Sequence, residues 1–370
     1  NQNGITAMRS CCENTSVQNN VIDGSLVAGL TVTGPGASPQ IKYNTISNGI
    51  ASGITVESGG EGSFIENTVS GSGGSNIWVS GTSCCPRFKS GLLKDGHIGL
   101  RCSDAAGGMF DDLVVSNHME CGILLESKAA PVITKADVHN NMLGMIARED
   151  GTTGRVVDSS FHDNAVSAVS FSTGAATQML GCTIKHVGSH SCIVVENRGA
   201  GVVKDSEIFV SCKSAVEIST DGNPQIMSSR IQNTIGGGVF FHSEGKGELR
   251  DNSIFGCNMC GVEIHSGADP LLERNQICNN SQSGVCVNHK GLGSLIRNGI
   301  SGNALAGIEI CGDSNPLVKG NAITDGAQSG ILVHTDGLGK IEENRISGNM
   351  LSGMEIACGG NPTVKNNEIF

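Results

Sequence analysis

Short runs in which apolar and polar residues alternate recur along the chain at a nearly constant interval. A small residue followed by an aliphatic, any residue and a second aliphatic begins at Gly4, Gly29, Gly53, Asn76, Gly99, Gly122, Gly144 and Ala168, and again at Cys192, Ala215, Gly238, Gly261, Gly284, Gly307, Gly330 and Gly353. The interval is 23 residues in most steps and stays between 22 and 25. Seven residues before most of these small positions stands another aliphatic, such as Ile46, Ile254, Ile277, Ile300, Ile323 or Ile346, usually preceded two positions earlier by Asn44, Asn252, Asn275, Asn298, Asn321 or Asn344. Period-two alternation bounded by Gly, Asn and Asp predicts strands, and no stretch holds a helical period long enough to compete.

Three short strands in one repeat make one coil of a parallel β-helix, and the rest of the coil serves as the right-handed crossover that parallel strands require. The expected fold is therefore all-β: a right-handed parallel β-helix of about sixteen coils with three short strands per coil. Equivalent residues then stack as aliphatic ladders inside and as asparagine ladders at the bends, whose amides hydrogen-bond along the axis. A second period overlays the first, because Pro224, Pro270, Pro316 and Pro362 lie 46 residues apart while the alternate coils carry Gly-x-Gly, as at Gly245 and Gly247. Two coils are thus the duplicated unit. The repeat is regular over residues 1–79 and 200–370 and degenerate over 80–199, where Ser90, Leu113, Ser159 and Cys182 replace the asparagine and the segment Cys84–Lys89 replaces a regular turn. Such decay marks either a lateral contact surface or drift. Residues 1–370 read as a single β-helix domain, part of a longer protein, whose uncapped ends invite end-to-end association.

Composition agrees with a narrow core. Glycine is high at 53 residues, aromatics make up 3% and charged residues 16%. A net charge of −11 with only 24 Lys plus Arg argues against a nucleic-acid partner, which needs clustered basic residues. Apolar runs are far shorter than the ~20 residues that span a bilayer, so no membrane segment is expected. The 15 cysteines sit at unlike repeat positions, so most are expected to be reduced, which favours a cytoplasmic protein. The vicinal pairs Cys11/Cys12 and Cys84/Cys85 lack the second pair of a zinc motif, and no cofactor or metal is expected. The sequons at Asn14 and Asn279 speak for the secreted alternative.

Units such as Ile341-Glu-Glu-Asn344-Arg-Ile346-Ser-Gly-Asn349 and Asn315-Pro-Leu-Val-Lys-Gly-Asn321-Ala-Ile323 resemble the carbohydrate-binding and sugar-hydrolase, or pectin-lyase-like, class of β-helix. They are most similar to the version in the F-box only protein ten and eleven family and the Shc SH2-binding protein family. That resemblance implies the fold and, in the F-box case, the substrate-receptor part of a ubiquitin ligase.

In each small-aliphatic-x-aliphatic strand the residues two and four after the small position point outward. The first of these rows reads Glu217, Phe240, Glu263, Cys286, Glu309, Leu332, Glu355, and the second Ser219, His242, His265, Asn288, Cys311, His334, Ala357. Glu263, His265 and His242 are expected within ~5–7 Å of one another, close enough to share a proton or a metal. Glu217, His242, Glu263, His265, Glu309 and His334 are therefore the candidate binding face, with Trp78 as a further outward contact residue. The aspartate clusters of pectate lyases and polygalacturonases and the Tyr-Gly-Phe-Asp-Pro-His motif of alginate epimerases are not legible. Asp111-Asp112 would split across two faces, and Asp95-Gly-His97 reads as a turn. No catalytic residue stands out. The expected function is a non-catalytic protein-binding scaffold or substrate receptor in the cytoplasm or on the cytoskeleton. A polysaccharide lyase, hydrolase or epimerase is the alternative.

Overall fold

The computed structural model describes residues 3–8, 14–186, 188, 190–211 and 213–370. Every element assigned among them is a strand of two to six residues. Cys11 and Cys12 lie outside the described residues. The chain divides into two compact units, Asn1–Thr183 and Ile184–Phe370. Within each unit every coil contributes one strand to each of three parallel sheets. In the coil that opens at Gly261, Val262–Ile264 belongs to sheet 1, Leu271–Glu273 to sheet 2 and Gln276–Cys278 to sheet 3. The expected fold is observed: a parallel β-helix of sixteen turns with three strands per turn.

Register follows the repeat. Val262 pairs with Val285, Leu272 with Leu295 and Ile277 with Ile300, one ladder from each sheet. These side chains are fully buried or nearly so, and each contributes roughly 1.5–3 kcal/mol by leaving water. Where glycine stands at the start of a sheet 1 strand, close approach favours it. A Cβ at Gly284 would meet the Gly307 carbonyl oxygen, the Asn303 side-chain amide and the Ile300 side chain, each at 2.7 Å.

The bend from sheet 2 to sheet 3 is made by one left-handed residue, such as Arg274 (φ 55°), Arg297 (φ 55°) or Glu343 (φ 57°). Such a conformation costs a non-glycine residue about 1–2 kcal/mol. The asparagine that follows offsets this cost. Asn275 donates its side-chain amide to the Leu249 carbonyl at 2.8 Å and to Asn298 Oδ1 at 3.0 Å, and its own Oδ1 accepts from the backbone and side-chain amides of Asn252, both at 3.0 Å.

The degenerate repeats of the first unit keep this architecture. Ser159 takes part of the asparagine's role by accepting from the Ala136 amide at 3.0 Å and donating to the Val157 carbonyl at 2.9 Å. The segment Cys84–Lys89 is not an irregular replacement for a turn, contrary to expectation. Arg87–Lys89 is a sheet 2 strand in register with both neighbours, because Phe88 continues a buried stack between Phe64 (centroids 4.1 Å apart) and Phe110 (5.2 Å). Between sheets 3 and 1 a second polar ladder includes the buried His118. Its Nε2 accepts from the Asn76 side-chain amide at 3.0 Å while its Nδ1–H donates to Asn141 Oδ1 at 2.8 Å. A neutral imidazole satisfies both contacts. Burial holds the His118 pKa below the ordinary histidine value, outweighing the Asn141 hydrogen bond and the field of Asp95.

Two outcomes follow. Asn275→Ala removes the bonds to the Leu249 carbonyl and to the Asn252 side chain and leaves the buried Asn252 backbone N–H without its acceptor, and should destabilise the fold by about 2–4 kcal/mol, read from urea or thermal melts. Because the pKa of His118 is lower folded than unfolded, the unfolded chain takes up the proton first. Its contribution to stability is therefore complete above about pH 6.5 and is lost as pH falls from there to the folded value. Replacing it with Asn, which continues the ladder, should flatten the decline in melting temperature over that window.

Candidate functional site

The outer face of sheet 1 in the second unit carries most of the predicted residues. Backbone register aligns Glu217, Phe240, Glu263, Cys286, Glu309, Leu332 and Glu355 in one row. They project outward because the residues on either side of each, such as Val262 and Ile264 around Glu263, fill the core.

Glu217 is the most enclosed of these acids, with its side chain 14% exposed. Lys213 Nζ reaches both of its oxygens at 3.0 Å, Ser191 Oγ donates to Oε2 at 2.9 Å, and His242 Nε2 lies 3.2 Å from Oε1. Burial pushes the Glu217 carboxyl up, but Lys213, Ser191 and His242 together hold it below the usual carboxylate range. The other ring nitrogen of His242 is fixed by Ser243 Oγ at 3.0 Å.

One coil on, Phe240 stacks on His242 at a centroid distance of 4.6 Å and meets His265 edge-on at 5.3 Å. His265 Nε2 in turn lies 2.8 Å from Glu263 Oε1. The expected trio of Glu263, His265 and His242 is thus two dyads separated by a phenyl ring, with His242 bonded to Glu217 on the far side. Side-chain reach decides this. An imidazole bonds a carboxylate two residues back on its own strand or one coil back, and His242 has Phe240 rather than an acid on its own strand.

Further along the row, His334 Nε2 lies 3.1 Å from Glu309 Oε1, Thr335 Oγ1 holds the other ring nitrogen at 2.8 Å, and Ser283 Oγ donates to Glu309 Oε2 at 2.7 Å. Cys311 completes a group whose ligand atoms all lie within 4.8 Å of one another. The Cys286 thiol has Cys260 and Cys311 as neighbours one coil to either side. Contact with Cys260 and burial push the Cys286 thiol up, and contact with Cys286 does the same for Cys311. Cys257, Cys260, Cys278, Cys286, Cys311 and Cys358 are free thiols. Three at unlike repeat positions nevertheless meet, since one step along the coils and two or three along the chain is a diagonal across the sheet.

Trp78 lies in the first unit on the same face of sheet 1. Its ring carries the Arg101 guanidinium at 5.6 Å and its Nε1 donates to Ser103 Oγ at 3.1 Å. Arg101 and Arg148 both pair with the buried Glu126, at 2.6 and 2.5 Å, so the indole is the end of a charged stack rather than an open platform. Asp111 and Asp112 accept separately from Thr134 and Ser90, and His97 pairs with Glu120. Pattern reading missed Lys213, Phe240 and the serines behind the glutamates. The serines stand 26 residues before their acids, one coil plus three, which is legible once the register is known.

A family model described as right handed beta helix region matches residues 167–315 and 293–370, together more than half of the chain. The chain belongs to the right-handed β-helix family. Solved structures share the fold at low identity. The Agl-KA catalytic domain is 11% identical, over 84% of this chain and 62% of that one, with a TM-score of 0.51. The A-module of the Azotobacter vinelandii mannuronan C-5 epimerase AlgE4 is 14% identical, over 80% and 89% of the two chains, with a TM-score of 0.40. The periplasmic alginate epimerase AlgG is 10% identical, over 92% and 76%, with a TM-score of 0.36. These relatives correct the expectation of a non-catalytic protein-binding scaffold. The structure that shares the fold at a TM-score of 0.51 is a catalytic domain.

The electrostatics of Glu217 can be tested alone. Lys213→Met removes the cation that lowers its pKa, so the Glu217 carboxyl should titrate at higher pH in a carbon-detected NMR titration. An unmoved pKa would show that Lys213 is not what holds it down.

Proposed function

We propose that this β-helix is a carbohydrate-active protein, the alternative to the scaffold, and that it acts as a glycoside hydrolase through the outer face of sheet 1. One observation carries the reading: two carboxylates, Glu217 and Glu263, flank the partly exposed Phe240 ring in a single row. A sugar offers its C–H face to an aromatic ring, and two acids on either side of that ring reach opposite sides of the glycosidic bond.

Two coils separate the acids, so their backbones stand two strand spacings, about 9.6 Å, apart. A backbone separation of that size is nearer to the wider carboxyl spacing of about 6.5–9.5 Å, in which a water fits between base and sugar and the anomeric configuration inverts, than to the about 5–5.5 Å of the retaining arrangement. Glu217, kept ionised by Lys213, takes a proton from the attacking water. Glu263, in hydrogen-bond contact with His265, delivers a proton to the leaving oxygen as the C–O bond breaks. Water adds across the bond, Glu217 releases the proton it took to solvent, and Glu263 is reprotonated from solvent. The glutamates along the row disfavour a polyanion, so a neutral polymer fits better than a uronate.

A secreted or periplasmic setting goes with a polymeric substrate, and AlgG among the relatives is periplasmic. Both sequon asparagines, Asn14 and Asn279, are exposed. Nothing in the relatives supports the cytoplasmic or cytoskeletal expectation.

The chain should release reducing ends from a neutral glucan or xylan, with inverted anomers in the first product by proton NMR. Glu217→Gln and Glu263→Gln should each lower the rate on the order of 10²–10⁴-fold, and Phe240→Ala should chiefly raise KM. Failure to cleave or bind any polymer in a panel that also holds pectate and alginate, or full activity in both Gln variants, would overturn the reading.

A further inference from the structure

We propose that Glu309, Cys311, His334 and Cys286 form a binding site for one thiophilic divalent cation of the zinc class, clamping three successive coils of the second unit. Carboxylate, thiol and imidazole donors of the first three already lie within 4.8 Å of one another. Donors around a tetrahedral zinc with bonds of about 2.0–2.3 Å sit roughly 3.3–3.8 Å apart, so small side-chain rotations close the site. Cys286 lies outside that 4.8 Å group but stands opposite Glu309 in the strand register, one coil before Cys311, and turns in as the fourth donor.

The outer shell is also in place. Ligating histidines commonly commit their second nitrogen to a neighbour, which fixes the ring and its tautomer. Here Thr335 holds His334 Nδ1 at 2.8 Å, leaving Nε2 aimed at Glu309 Oε1, while Ser283 holds the other oxygen of Glu309 at 2.7 Å. Two sulfurs, one imidazole and one carboxylate suit zinc and exclude magnesium and calcium, which take oxygen ligands.

The protein contains its own control 92 residues earlier. Ser191, Glu217, His242 and Ser243 repeat the frame of Ser283, Glu309, His334 and Thr335. In that copy the cation is built in, as Lys213 Nζ at 3.0 Å from the carboxylate. In the later copy Leu305 stands in place of Lys213, while Cys286 and Cys311 stand in place of Val194 and Ser219. One copy carries an ammonium, and the other has exchanged it for two sulfur donors. Four protein donors leave no open coordination position, so the ion would fasten coils rather than activate water, whether or not the Glu217–Phe240–Glu263 surface handles a glycan.

Cobalt(II) added to the reduced, metal-stripped full chain should give thiolate-to-cobalt charge-transfer bands and the visible bands of tetrahedral cobalt. These should saturate at one ion per chain and vanish on addition of zinc. Cys311→Ser and His334→Ala should each abolish the spectrum with circular dichroism unchanged, Cys286→Ser should roughly halve the charge-transfer intensity, and His242→Ala should leave it intact. Zinc should raise the melting temperature of the parent chain but not of Cys311→Ser. Absence of charge-transfer bands at stoichiometric cobalt, or bands that persist in both Cys311→Ser and His334→Ala and so arise from other cysteines, would overturn the proposal.

Discussion

Parallel pairing in register makes residues one coil apart into neighbours at about 4.8 Å. A side chain that suits one coil must therefore suit its own copies above and below. Aliphatics meet this condition by stacking, and so does asparagine, whose amide can donate upward and accept from below without end, as Asn252, Asn275 and Asn298 do. The buried ladders and the left-handed bends they support both follow. An ionised group cannot obey the same rule, because identical charges at this spacing repel and lose solvent together.

The outer face shows how the charge problem is resolved. Duplication of two coils places a glutamate on every second coil of the row, with Phe240, Cys286 or Leu332 between. Each acid then has room to recruit a partner of opposite or neutral character: Lys213 and His242 for Glu217, His265 for Glu263, His334 for Glu309. A solution to electrostatic crowding thus also leaves carboxylates two coils apart with an aromatic, thiol or aliphatic side chain between them. The copies have diverged in what lies beside the acid, and their chemistry differs accordingly.

The candidate surface was only partly legible in the sequence. The rows of Glu and His come directly from the repeat, and all six named acids and histidines of the second unit lie on one face. Their pairing was not legible, because it depends on whether a histidine reaches back along its own strand or down one coil, and Phe240 settles that for His242. Trp78 was correctly placed outward, but the guanidinium that covers it belongs to the next coil. The scaffold reading came from the absence of a legible catalytic cluster together with a family resemblance that was accurate for fold, since a repeat encodes the ladder and not the few outward residues on which activity depends.

By itself the sequence determined the fold, the coil count, the inward residues and the two-coil duplication. All of these are periodic, and a periodic pattern needs no distant information to be read. Tertiary structure alone decided which outward groups meet. Lys213 meets Glu217 across a bend, Ser283 meets Glu309 from one coil plus three residues away, and Cys260, Cys286 and Cys311 converge along a diagonal. These contacts rest on rotamers and side-chain lengths, which spacing in the chain permits but does not select.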